Sequence, residues 1–133
     1  MADDLYPIVR VSEWDLRRMF NEGRYWERCR SGELRASVRR NVHLTLDKAK
    51  EADEPYCTHS QQISYLDEAN LEVVRVHQYL RADGSVGAKG RPDPKRMLVN
   101  GTLYRIQRRT TKKNFVLRIV DRLVGWFRRT FRF

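Results

Sequence analysis

The stretch SGELRASVRRNVHLTLDKAKEAD, residues 31–53, decides the fold. Leu34, Val38, Val42 and Ala49 recur at spacings of four, four and seven, which places them on one face of a helix. Ser31-Gly32 precedes the run, Glu33 suits the positive end of a helix dipole, and Pro55 follows as a stop. The pattern therefore predicts a helix beginning after Gly32 and running to about Ala52. Within it, V-H-L-T-L at residues 42–46 alternates apolar and polar, and that alternation also reads as a strand.

Upstream, S-E-W-D at residues 12–15 has the form of a helix start, with Ser12 as N-cap and Asp15 three residues on. Val11 and Leu16 are spaced as a hydrophobic staple. Leu16, Met19 and Phe20 keep helical spacing, and Gly23 ends the element.

Downstream the texture changes to strands. QQISYL, then DEAN, then LEVVRVHQYL reads as two strands joined by a short turn. ADGSVGAKGRPDP is a loop. KRMLVNGTLYRI, residues 95–106, carries Asn100-Gly101 between apolar runs, the sequence of a type I′ hairpin turn. A two-residue turn sets Val99 opposite Thr102 and Met97 opposite Tyr104. Met97, Val99, Tyr104 and Ile106 then share one face.

The chain ends in NFVLRIVDRLVGWFRRTFRF, residues 114–133. On a helical wheel its apolar residues from Phe115 onward fill an arc of about 200°, and its arginines fill the remainder. This predicts a basic amphipathic helix. The expected fold class is α+β: N-terminal helices, a small antiparallel sheet from two hairpins, and that C-terminal helix. The expected organisation is a compact body over residues 1–111 and a helix over 112–133, docked on the body or acting as a surface-binding tail.

Charge follows the same division. Residues 1–104 hold 17 Lys+Arg against 16 Asp+Glu, whereas residues 105–133 hold 10 against one, so nearly all of the net +10 lies in the tail. Such asymmetry points to nucleic acid or an anionic membrane. No run of about 18 uncharged apolar residues predicts a transmembrane helix. The acidic MADDLYP start lacks the basic and apolar regions of a secretory signal. Cys29 and Cys57 make no disulfide framework. A cytoplasmic location is expected, peripheral to the inner face of a membrane.

The leading expectation is a non-enzymatic interaction module that attaches reversibly to an anionic membrane through its C-terminal helix. Phe115, Ile119, Leu123, Trp126 and Phe127 would enter the lipid, and Arg118, Arg122 and Arg129 would meet the headgroups. The same helix also suits a protein partner or a homo-oligomer seam. The alternative is a nucleic-acid-binding protein or small RNase-like toxin using the loop 83–96 and the connector 105–113. Its candidate contacts are Lys89, Arg91, Arg105, Arg108, Arg109, Lys112 and Lys113. Against it, the tail's aromatics lie opposite its arginines, whereas a single-strand binder needs rings and cations in one groove.

Of the three histidines, His77 is the candidate base, because Asp83, Asp93, Lys89, Arg91, Lys95 and Arg96 follow it closely. Strand histidines are more often structural, and no catalytic motif accompanies this one. Cys57-Thr58-His59 lacks the second ligand pair of a zinc site, so no metal or cofactor is expected. Gly84, Gly87 and Gly90 do not form a phosphate-binding loop, because no GK[ST] and helix follow.

Overall fold

The structure is a computed structural model and describes residues 5–88 and 90–107. Its elements are β1 (Ile8–Val11), α1 (Glu13–Glu22), α2 (Tyr25–Ser31), β2 (Arg35–His43), α3 (Leu46–Glu51), β3 (His59–Leu66), β4 (Glu72–Leu80), β5 (Asp93–Val99) and β6 (Thr102–Ile106). The six strands form one sheet in the order β1-β6-β5-β4-β3-β2. Four of its five junctions are antiparallel, and β1 runs parallel to β6.

This corrects the expected fold class. The sheet is mixed and six-stranded rather than a small antiparallel pair of hairpins, and the described helices are three short ones. The predicted helix over residues 33–52 is instead β2 followed by α3. Its stripe misled because a spacing of four is compatible with both a 3.6-residue and a two-residue period. The extended form wins because β2 gains a long antiparallel partner, from Arg35 opposite Leu66 to His43 opposite His59. A bulge between Val38 and Arg40 then puts Val38 beside core-facing Ile63 and Val42 beside Ser60 of the other face. Both valines stay exposed, and of the stripe only Leu34 and Ala49 are buried, so the four residues do not form one core face.

α1 follows its sequence signals. The Ser12 side chain accepts a hydrogen bond from the Asp15 N–H at 3.0 Å, satisfying one free donor of the first turn. The hairpin between β5 and β6 also has the expected register, Val99 opposite Thr102 and Met97 opposite Tyr104. Asn100 and Gly101 both have positive φ, at 49° and 77°.

One face of the sheet is covered by α1 and α2. Leu16, Phe20 and Cys29 from the helices meet Ile63, Tyr65, Val74, Val76 and Met97 from the strands, with Leu34 between. Val99, Tyr104 and Ile106 pack against this core, on the face predicted for them. Strand alternation sends the intervening residues to the opposite face, which carries neither α1 nor α2. The C-terminal helix of the sequence reading lies outside the described residues. Among the described residues, no helix is long and apolar enough to cross a membrane.

Candidate functional site: a basic groove on the polar sheet face

The polar face is built by every second residue of the central strands. β3 contributes Ser60, Gln62 and Ser64, and β4 contributes Arg75, His77 and Tyr79. Register sets Ser60 opposite Tyr79, Gln62 opposite His77 and Ser64 opposite Arg75. On the next strand, Asp93 stands opposite His77 and Arg96 opposite Arg75. Arg105 of β6 and Arg10 of β1 continue the row, Arg96 facing Arg105 and Arg105 facing Arg10.

Two hollows lie on this face. One, of about 530 Å³, is walled by Thr45, Lys48 and Glu51 of the α3 region and by Arg40, Ser60 and His77. The other, of about 700 Å³, is bounded by Arg10, Arg75, Asp93, Lys95, Arg96 and Arg105. They share Gln62, His77 and Tyr79, so they form one groove with His77 at its centre. Among the described residues, seven basic and three acidic side chains line it, so its lining carries an excess of positive charge.

Glu72 holds part of this charge in place. Its carboxylate accepts from Arg75 Nε at 3.1 Å and Nη2 at 3.0 Å, from Arg96 Nε at 2.6 Å, and from the Ser64 hydroxyl. Burial raises the Glu72 pKa, but the Ser64 and Arg96 hydrogen bonds and the Arg75 and Arg96 charges outweigh it. The carboxyl is held below its ordinary range. Two arginines are thereby fixed side by side on the groove floor, and Arg96 and Arg105 have further interactions of their own.

His77 is half-buried and braced. Its ring meets the Tyr79 ring edge-on, 4.8 Å between centroids, and its Nε2 lies 2.7 Å from Ser60 Oγ. Burial lowers its pKa first, and the Lys95 charge lowers it further, while Asp93 opposes both. The ring is therefore held neutral near pH 7, able to accept a proton at one nitrogen.

The remaining sequence candidates divide. Arg91 points elsewhere: its Nη1 donates to Asn21 Oδ1 at 3.0 Å, tying the loop before β5 to the end of α1. Lys95 and Arg96, read as loop residues, belong to β5 and line the groove. Lys89, Arg108, Arg109, Lys112 and Lys113 lie outside the described residues, as do Phe115, Arg118, Ile119, Arg122, Leu123, Trp126, Phe127 and Arg129. The glycine-rich loop serves packing. Glu54, whose side chain is buried, accepts from Arg81 Nε at 2.8 Å and from the Ala88 N–H at 2.8 Å, and Gly87 lies against its carboxylate.

Sequence reasoning missed Ser60, Gln62, Tyr79, Arg10, Arg40 and Arg75 as groove residues. A signal was present, because Ser60, Gln62 and Ser64 and then Arg75, His77 and Tyr79 alternate with core residues in two consecutive strands. Comparison with known family models, curated proteins and solved structures returns no match.

Proposed function

We propose that the protein binds single-stranded nucleic acid along the basic groove of its sheet. The observation that carries this is the presence of cations and a ring pair in one hollow. Tyr79 and His77 lie among Arg10, Arg75 and Lys95. Single-strand binders combine a basic track for the backbone with aromatic platforms for the bases. The tail sequence alone separates rings from arginines, and the groove unites them. Gln62 adds an amide that can hydrogen-bond a base edge.

Fluorescence anisotropy with labelled single strands and duplexes tests the reading. Tyr79→Ala should weaken single-strand binding by about tenfold, as loss of one base stack does. Arg10→Ala and Arg40→Ala should each weaken it and reduce its salt dependence. Binding indifferent to all three, yet lost on removal of the basic tail, would refute the groove as the site.

Residues 115–133 support a second reading, because their apolar and arginine residues segregate cleanly in the sequence. On that reading the tail attaches the protein to an anionic membrane surface. Trp126→Ala with Phe127→Ala should then release the full chain from anionic vesicles in a sedimentation assay. Undiminished sedimentation would exclude these residues as the anchor.

A further inference from the structure

We propose that Ser60, His77 and Asp93 form a row of nucleophile, base and carboxylate that cleaves the phosphodiester backbone of a strand lying in the groove. The proposal rests on the nucleic-acid reading above. Three neighbouring strands supply the three groups: β3, β4 and β5. Ser60 Oγ is 2.7 Å from His77 Nε2, within reach for direct proton transfer. Asp93 stands directly across from His77 in the strand register, and same-face neighbours of this kind have Cβ atoms about 5 Å apart. Arg17 Nε donates to Asp93 Oδ1 at 3.0 Å and fixes that carboxylate from α1.

A serine hydroxyl often does no more than satisfy a half-buried imidazole. Two further features set this pair apart. Ser60 and His77 both line the groove rather than the core. Lys95 lines the adjoining hollow close enough to His77 to act on its charge, where negative charge would build on a phosphorane. The edge-on Tyr79 ring limits how far the imidazole can turn, and its neutral state leaves it able to act as a base.

In the first step Ser60 Oγ attacks phosphorus while its proton passes to His77 Nε2. The bond from phosphorus to one bridging ester oxygen breaks, and that oxygen takes the proton from the imidazolium and leaves as a hydroxyl. One strand end is now joined to Ser60 through a phosphodiester. A water molecule then attacks the same phosphorus, giving its proton to Nε2. The Oγ–phosphorus bond breaks, and Oγ recovers the proton. No redox partner is required.

The test treats the full chain with a fluorophosphonate probe, which forms an Oγ–phosphorus bond and releases fluoride, and maps the labelled peptide. Cleavage and anisotropy of a fluorescent single-stranded RNA are followed in parallel. The expected result is labelling at Ser60, absent in Ser60→Ala and slowed about a hundredfold in His77→Ala, as loss of a general base predicts. Ser60→Ala should not cut the strand. Because His77→Ala leaves a hole beside Tyr79, His77→Gln is measured with it, and both are compared with wild type in thermal melts. Strand binding without Ser60 labelling, or cleavage that survives Ser60→Ala, overturns the proposal and leaves the binding reading intact. Ser60 labelling without strand binding overturns the phosphodiester substrate and the binding reading together.

Discussion

Glu72 is the residue on which the polar face depends most. It is 16 % exposed and neutralises Arg75 and Arg96, which are comparably buried, with Arg39 Nη1 at 3.9 Å beyond them. Removing the carboxylate takes away the acceptor that Arg75 and Arg96 share, so Glu72→Ala should cost about 3 kcal/mol in urea unfolding. The pH dependence has a definite sign. Because the folded pKa of Glu72 is lowered, its contribution is complete above the unfolded value of about 4.3 and is lost as pH falls through the folded pKa. The gap in melting temperature between wild type and Glu72→Ala should therefore be widest near neutrality and narrow in acid. A gap that held constant below about pH 4 would contradict the assignment. Gly87 gives a second test. A Cβ there would overlap the Glu54 carboxylate. Gly87→Ala must push that group off Arg81 and the Ala88 N–H, at a cost of about 2 kcal/mol in the same assay.

At the scale of elements, the turn between β5 and β6 is held by two residues with positive φ. Gly101→Ala places a Cβ in the left-handed region and should lower stability by about 1 kcal/mol while leaving the strand pairing intact, as amide exchange would report. This hairpin and α1 were legible in the sequence because their signals are local. Asn100-Gly101 has few alternatives, and Ser12 caps the helix that begins one residue later. β2 and β1 were not legible, for different reasons. In β2, residues at four-residue spacing satisfied both periods, and the deciding interaction was with β3, beyond an intervening helix. In β1, four residues are too few to display a period, and the partner is the last of the described strands. The groove shared that fate. His77 was visible as a candidate with Asp93 named beside it, but Ser60 lies on another strand, and only the pairing of β3 with β4 brings its hydroxyl to the imidazole.

At the scale of the molecule, a body that is close to neutral in sequence presents its charge unevenly. Cations gather on one sheet face, while α1 and α2 bury the other. Single-strand binding should therefore weaken linearly with the logarithm of salt, with a slope near 0.7 per phosphate neutralised. The double variant Arg10→Ala/Arg40→Ala should reduce that slope by about 1.4 in an anisotropy titration. An unchanged slope would remove these two arginines from the backbone track. The sheet has one more consequence. Its outermost strand at one edge, β1, is made before every other described strand, yet the neighbour it pairs with, β6, is the last of them to be made. While the ribosome works through the intervening strands, Ile8–Val11 has no ladder to join. The sheet can be completed only after Ile106 has emerged, so β1 joins it by a long-range pairing that must wait for the same strand that closes the β5–β6 hairpin.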